Sequence, residues 1–427
     1  MLLFVLTAIN YVDRINLSVA SKSIAAAYHL SPGALGLLFS SFSWTYLLCL
    51  VPLGVLADAW GTRLTTAASI IVWSASSMLT GAASNFSTLV LTRLGLGIGE
   101  AASFPTGLRA VREWAPFRER GVATAALNAG SYAGPAFGAV FVAWLITLVG
   151  WRGSFVLTAL LGFVWVAFWL AFYQQPQKAR WLTPQERRTI LSERDGEEAA
   201  PAQDGGKGSL RALLRCRSMW GVALTQGCGV YSQYLFLTWL PNYLQTAKHL
   251  EVMSSGWYTA LPYSIAVVLT LLLSRLSDRL MTGTSARSGA RRTYVIVSML
   301  LSSFVLLTPF VDAMWQVEVL LTIAITFVAT GLGMNFTLMS DLLRTPGAAA
   351  KAFSILVLGG NVFALFAPIV TGFVVQITGS FTWAFVIAGV LLVAGAIFSF
   401  TMTRDPISAE PDAPAPVLEH EPSASAV

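Results

Sequence analysis

The sequence predicts an all-α polytopic membrane protein: twelve transmembrane helices in two pseudo-symmetric six-helix bundles. Three observations carry that prediction. Of the 427 residues, 55% are hydrophobic and only 11% charged, too few charges to cover a water-facing surface, where roughly a quarter is usual. Apolar runs of about 20 residues, the length a helix needs to cross a bilayer, recur from Met1 to Met402 with short interruptions. A motif after the second run also returns, degraded, six runs later.

The runs fall at 2–21, 34–57, 64–84, 86–110, 121–149, 153–174, 217–246, 256–277, 293–312, 316–340, 350–376 and 380–402. The first is expected to be retained. It has no basic leader, and it passes through Asp13 and Arg14 to Lys22 without a small-residue cleavage site. Cys49, Cys216 and Cys228 have neither metal nor redox spacing and read as small hydrophobes. No metal and no cofactor are expected.

All but five of the 27 Lys and Arg fall in loops on one face, among them Arg63, Arg118, Arg120, Arg187, Arg188, Arg279, Arg291 and Arg292. The opposite face receives Lys22, Arg152 and Lys248, and Arg14 and Arg93 lie inside runs. Basic loops stay in the cytoplasm, so both termini are expected there, with the bacterial inner membrane as the location. The net charge of +6 is this bias, and a nucleic-acid partner is not needed to explain it.

Residues 1–174 and 217–403 are expected to form the two bundles and 175–216 a cytoplasmic linker. Thr183 before Pro184 and Glu186 is a helix-start pattern, whereas Glu197 to Gly208 reads as mobile. The tail, 404–427, is acidic and proline-containing and reads as disordered.

A charge inside hydrocarbon costs several kcal/mol unless it is paired or faces water, so deep ionisable residues mark function. Four are read as deep: Asp13 and Arg14 in the first run, Arg93 and Glu100 in the fourth. Arg93 and Glu100 are 20° short of two full turns apart and share a face. Tyr11 lies three before Arg14, and Gly95, Gly97 and Gly99 let a neighbouring helix approach closely. A static structural pair is the competing reading of each charge pair. The second half reads as lacking deep charge but carries Gln226, Tyr231, Gln233, Tyr234, Trp239, Tyr263, Asn335 and Asn361, suited either to hydroxyls of a polar acid or to interhelical hydrogen bonds.

The run Gly54-Val-Leu-Ala-Asp58-Ala-Trp-Gly61-Thr-Arg63, repeated weakly as Ser274-Arg-Leu-Ser-Asp278-Arg279, resembles the loop after the second span of the major facilitator superfamily. The resemblance implies that Gly54, Asp58, Gly61, Arg63 and Asp278 belong to a gating charge cluster, a plain solvated turn being the other reading. Ile9-Asn10-Tyr11-Val12-Asp13-Arg14-Ile15-Asn16-Leu17-Ser18-Val19-Ala20, with Arg93 to Glu100, resembles the anion:cation symporter family within it. That family includes bacterial galactonate, glucarate and hexuronate transporters, and the sialin and vesicular glutamate transporter group.

The resemblance implies that Arg14 grips a substrate carboxylate, that Asp13 and Glu100 take up protons, and that Arg93 partners Glu100. Tyr46 and Asn361 match binding positions of the family. Tyr11 and Gln233 complete the expected site with Ser131, which stands where sugar-acid members have Gln and implies a smaller or more apolar cargo. The expected function is proton-coupled uptake of a small carboxylate by a monomer through alternating access. Gly130-Ser-Tyr-Ala-Gly134-Pro135-Ala-Phe-Gly138 resembles part of a motif of proton-coupled drug exporters and keeps efflux open; a transport-dead sensor is a third reading. An enzyme is not expected, since no nucleophile with base or paired acids face one site and the histidines are His29, His249 and His420.

Overall fold

The computed structural model describes residues 1–116, 119–179, 181–199, 210–280, 289–344 and 348–408, apart from the side chains of 189, 193–199, 277–280 and 350. Its elements are α1 (Leu2–Tyr28), α2 (Pro32–Gly81), α3 (Phe86–Glu100), α4 (Ser103–Trp114), α5 (Arg120–Phe172), α6 (Pro184–Ala199) and α7 (Leu210–Arg215). There follow α8 (Arg217–Thr246), α9 (Val252–Leu280), α10 (Ala290–Ser302) with a 3-10 continuation (Ser303–Phe310), α11 (Met314–Leu342), α12 (Ala349–Thr378) and α13 (Thr382–Met402).

Two of these helices contain two crossings each. Gly61 (φ 76°) breaks α2 and Gly150 (φ 71°) breaks α5, and a positive φ comes to glycine without a steric penalty. One residue thus redirects the chain where a loop was expected. With α3 and α4 taken as one crossing interrupted at Ala101 and Ala102, the described helices make the twelve crossings of two six-helix halves.

Among the described residues, eight helices are long and apolar enough to span a membrane by composition. The 30-residue α8 is not among them, because its Gln, Asn, Ser and Tyr side chains are buried by neighbouring helices and need no lipid-facing apolarity. Within the first half α1 packs on α5 and α2 on α3; within the second, α8 packs on α12 and α13, and α10 on α11.

The halves meet along α1 with α8, α2 with α12, and α5 with α9. Asn242 Nδ2 donates to Ser21 Oγ (2.9 Å), Gln245 Nε2 to the Val19 carbonyl (3.0 Å) and Lys22 Nζ to the Gln245 carbonyl (3.0 Å). The Gly33 amide donates to Gln376 Oε1 (3.0 Å), and Ser40 Oγ to the Leu365 carbonyl (2.8 Å). These bonds draw on the later turns of α1, α8 and α12 and the first turns of α2, so they seal one end of the seam.

Three segments differ from expectation. The first helix runs to Tyr28, not 21, since Ala25-Ala26-Ala27 favours helix, and it stops where His29 turns left-handed (φ 52°). In the linker, Thr183 and Glu186 cap each other as expected: the Glu186 amide donates to Thr183 Oγ1 (3.2 Å) and the Thr183 amide to Glu186 Oε2 (2.9 Å). The Thr183 hydroxyl, which also donates to Glu186 Oε2 (2.7 Å), and then the Thr183 amide hold Glu186 below its usual carboxylate range. The helix then continues to Ala199, past Glu197 where a mobile stretch was expected; 200–209 lie outside the described residues.

The tail was expected to be disordered from Arg404, but its first residues pack. Ile407 is fully buried, donates to the Leu342 carbonyl (2.7 Å) and accepts from the Arg344 amide (3.0 Å). An isolated apolar residue in a polar tail gains by leaving water. Residues 409–427 lie outside those described, as does Arg118.

A Cβ on Gly97 would collide with the Phe42 carbonyl and Thr45 Oγ1, whereas one on Gly54 meets nothing. Gly97→Ala is therefore expected to destabilise the detergent-solubilised protein by about 1–3 kcal/mol, with Gly54→Ala neutral, both read as shifts in the thermal unfolding midpoint.

Candidate functional site

The first helix supplies the centre of the site because its consecutive polar residues point in different directions at 100° per residue. Asn16 and Asp13 turn toward the first half's interior. Ser154 Oγ donates to Asn16 Oδ1 (2.9 Å), Asn16 Nδ2 to Thr158 Oγ1 (3.0 Å), and Ser77 Oγ to Asp13 Oδ1 (2.9 Å). The second Asp13 oxygen is buried without a partner. Arg14, one residue on, turns instead toward the space between the halves.

There Arg14 Nε donates to Glu100 Oε2 at 2.8 Å, and Arg14 Nη1 donates to the Tyr234 hydroxyl of α8 at 3.2 Å. The guanidinium carbon lies 4.4 Å from the Phe42 ring centroid, 4.7 Å from Tyr11 and 5.5 Å from Tyr46, where ring quadrupoles favour a cation. One guanidinium is thereby held from α1, α2, the end of α3, and α8. Glu100 is wholly buried and its Oε1 has no partner.

Arg93 does not partner Glu100. It donates to Thr80 Oγ1 and lies over the Phe155 ring at 5.3 Å. The reason is helical direction. Seven residues rise about 10.5 Å, and helical side chains lean toward the N-terminus, so Arg93 leans away from Glu100 even though both share a face.

The other expected binding residues divide. Tyr11, Tyr46 and Gln233 are half-buried; the two tyrosines flank Arg14, and Gln233 Nε2 donates across the halves to the Tyr132 hydroxyl (3.3 Å). Ser131 Oγ donates to its own helix at the Asn128 carbonyl (2.6 Å), and Asn361 Nδ2 to the Val357 carbonyl (3.0 Å). Such local bonds satisfy short polar side chains in place, and the structure does not bring these two to Arg14. Gln226 accepts from Asn335 Nδ2 (2.9 Å) as an interhelical pair.

Sequence reasoning did not place Phe42 beside Arg14, met Tyr132 only within the exporter-like run and not as the partner of Gln233, and did not single out Tyr234 from its neighbours. It also missed Glu318. That residue lay at the edge of an expected run, so the second half read as free of deep charge; it is in fact buried, with both carboxyl oxygens unpartnered.

At the basic end, Asp58 pairs with Arg109, and Arg63 donates to the Leu170 carbonyl. Glu113 ties the cluster together. Its Oε1 accepts from Thr62 Oγ1 (2.7 Å) and Arg109 Nε (3.1 Å), and its Oε2 from the Tyr173 hydroxyl (2.6 Å). The Arg109 and Glu113 spacing of four residues was the available signal. Gly61 supplies the break beside this cluster, Gly54 faces open space, and the side chain of Asp278 lies outside those described. Among the described residues no group of three His, Cys, Asp or Glu could hold a metal.

Removing one member of a buried ion pair strands the other, at about 3–5 kcal/mol. Arg14→Ala is expected to lower the thermal midpoint of the solubilised protein more than Arg14→Ala combined with Glu100→Gln. Additive losses in that cycle would show the pair to be uncoupled.

Compared with known proteins, the chain matches the Major Facilitator Superfamily over residues 3–345 and 280–425. It is 32% identical over 409 residues to a probable L-galactonate transporter of Escherichia coli (strain K12), covering 96% of this chain and 89% of that one. It is 31% identical over 420 residues to a probable galactarate/D-glucarate transporter of Bacillus subtilis (strain 168), covering 95% and 91%. Its fold is similar to that of a bacterial homologue of the human lysosomal transporter Spinster, solved inward-facing and unoccupied, with a TM-score of 0.73, 19% identity, and 94% and 96% of the two chains covered.

Proposed function

The chain belongs to the Major Facilitator Superfamily and is a transporter, not an enzyme, and from that premise we propose that it imports a small organic anion together with protons. The observation that carries this reading is the contact set of Arg14: a central cation ringed by Phe42, Tyr11 and Tyr46 and shared with Glu100 and Tyr234. A guanidinium presents a planar fork of donors suited to carboxylate. The names of the relatives, sugar-acid transporters, supply the class of cargo.

The coupling follows from competition for one cation. A substrate carboxylate arriving at Arg14 displaces Glu100, which is then a buried carboxylate without its partner. A proton supplies the missing positive charge. When substrate leaves, Arg14 is free to recapture Glu100 and the proton goes to the open side. Asp13, one oxygen on Ser77 and the other unpartnered, is a second proton acceptor in this scheme. Arg93, hydrogen-bonded to Thr80, keeps positive charge near both carboxylates.

The seam supports one assignment of the state. Its bonds close the end that carries the 29–31, 247–251 and 379–381 turns, while Arg14, Tyr11, Tyr46, Gln233 and Tyr234 keep partial exposure between the halves. Their opening is then on the basic-loop side, which the positive-inside bias makes cytoplasmic. Both termini are on that side, the state is inward-open, and 1–174 and 217–403 are the bodies that rock about the site. The Asp58, Arg109 and Glu113 cluster restrains the cytoplasmic helix ends, and one copy of the chain contains the whole pathway.

In proteoliposomes with an imposed inward proton gradient, uptake of one acid from a panel of L-galactonate, galactarate, D-glucarate, dicarboxylates and aromatic acids is expected to exceed the gradient-free rate. Glu100→Gln is expected to abolish that stimulation while exchange of the same acid persists. No uptake of any acid, by wild type and variant alike, would sink the import reading and direct attention to export.

A further inference from the structure

At the sealed end, beyond the hydrogen bonds of the seam, the two halves enclose a cleft of about 530 Å³. Lys22 lines it from α1 and Lys248 from the turn after α8. Each ammonium is tethered through one bond to a backbone carbonyl, Lys22 Nζ to Gln245 at 3.0 Å and Lys248 Nζ to Val311 at 3.2 Å. An ammonium has three donors, so both heads are fixed in position and keep donors for a ligand. Among the described residues, no Asp or Glu lines the cleft; Glu251 lines a second depression that shares Lys22 with it, and no ion pair joins Lys22 to Glu251.

The remainder of the lining suits an organic anion better than a bare ion. Thr246 and Ser380 add hydroxyls at the mouth, and Tyr243 packs edge-on against Phe381, ring centroids 5.4 Å apart, as an apolar wall. Two cations in one cleft are also out of keeping with their surroundings, since this face carries few basic residues at all.

We propose that this cleft is an antechamber site for a small carboxylate, taken up from the outer side before it reaches Arg14. The carboxylate lies between the two ammonium groups and its body lies on Tyr243 and Phe381. Lys22 belongs to the first half and Lys248 to the second, so an occupant bridges the seam. The Asn242 to Ser21, Gln245 to Val19 and Ser18 to Thr238 bonds stand between it and the inner site. Parting of those bonds lets the anion pass inward from one cation to the next. The identity of the anion rests on the import reading above; the existence of the site does not.

The test uses the full chain with Cys49, Cys216 and Cys228 changed to Ala and with Thr246→Cys at the cleft, its thermal midpoint checked first. Reaction rates are measured with an anionic sulfonate-bearing and a cationic trimethylammonium-bearing methanethiosulfonate, their ratio normalised to that of a free thiol. The ratio is expected to favour the anionic reagent by about tenfold at low salt. Lys22→Gln with Lys248→Gln brings it toward one; Lys22→Arg with Lys248→Arg retains it. Millimolar galactarate or D-glucarate is expected to slow labelling even when Arg14→Ala has removed the inner site.

A ratio near one, a ratio indifferent to the lysines, or the absence of protection by the panel of acids would each overturn the antechamber. Failed uptake with protection intact sinks the import reading alone, and successful uptake without protection sinks the antechamber alone.

Discussion

The central constraint on this structure is one buried guanidinium. Arg14 sits among apolar helices where an unpaired charge is untenable, and everything within reach answers it: Glu100 from the end of α3, the faces of Phe42, Tyr11 and Tyr46, and the Tyr234 hydroxyl from the opposite half. The break between α3 and α4, at Ala101 and Ala102, lies directly after Glu100. The close packing of Gly97 on Phe42 and Thr45 keeps α3 against α2, so that the carboxylate and the ring meet the same cation. Tyr234 adds the second half to this set, so what Arg14 holds bears directly on the interface between the two halves.

A buried ion pair is weak evidence for stability, because desolvation offsets most of its attraction. Here the pair has a different physical value. Glu100 holds Arg14 through one oxygen only, and its other oxygen is buried without a partner. Asp13 is in the same condition, with one oxygen on Ser77 and one unpartnered. Incomplete satisfaction costs stability in a static core; in the coupling scheme proposed above it is what lets each group exchange its partner for a proton or a ligand. Nearby Asn16 differs: its oxygen accepts from Ser154 and its amide donates to Thr158, and this satisfied group fastens helices together within the first half.

The two ends of the molecule are held by different physics. At the sealed end, single hydrogen bonds between polar side chains and backbone join the halves, each of net worth about 1 kcal/mol, so the set can open stepwise. At the basic end, the contacts of Glu113 with Thr62, Arg109 and Tyr173, and of Asp58 with Arg109, lie within the first half. They stiffen that half around the Gly61 break and let it move as one body. Such a division suits the rocking of one half against the other proposed above, in which each half keeps its shape.

How much of this could be read from the sequence depended on whether the determining force was local. Twelve crossings, the capped linker helix at Thr183, and the depth of Asp13, Arg14, Arg93 and Glu100 follow from length, hydropathy and the penalty for charge in lipid, all of which act along the chain itself. Which charge meets which does not. Helical phase put Arg93 and Glu100 on one face, but side-chain lean and the approach of α1 and α2b, the 62–81 part of α2, decided that Glu100 should hold Arg14 and Arg93 should hold Thr80. Phe42, Tyr132 and Tyr234 became site residues, Ser131 and Asn361 turned back to their own helices, and Glu318 was buried, through packing between segments far apart in the chain. Composition and periodicity determine that a helix crosses the membrane and where its charges lie along it. Only the meeting of helices determines the partners, because a pairing energy depends on distances of a few ångströms that no single segment specifies.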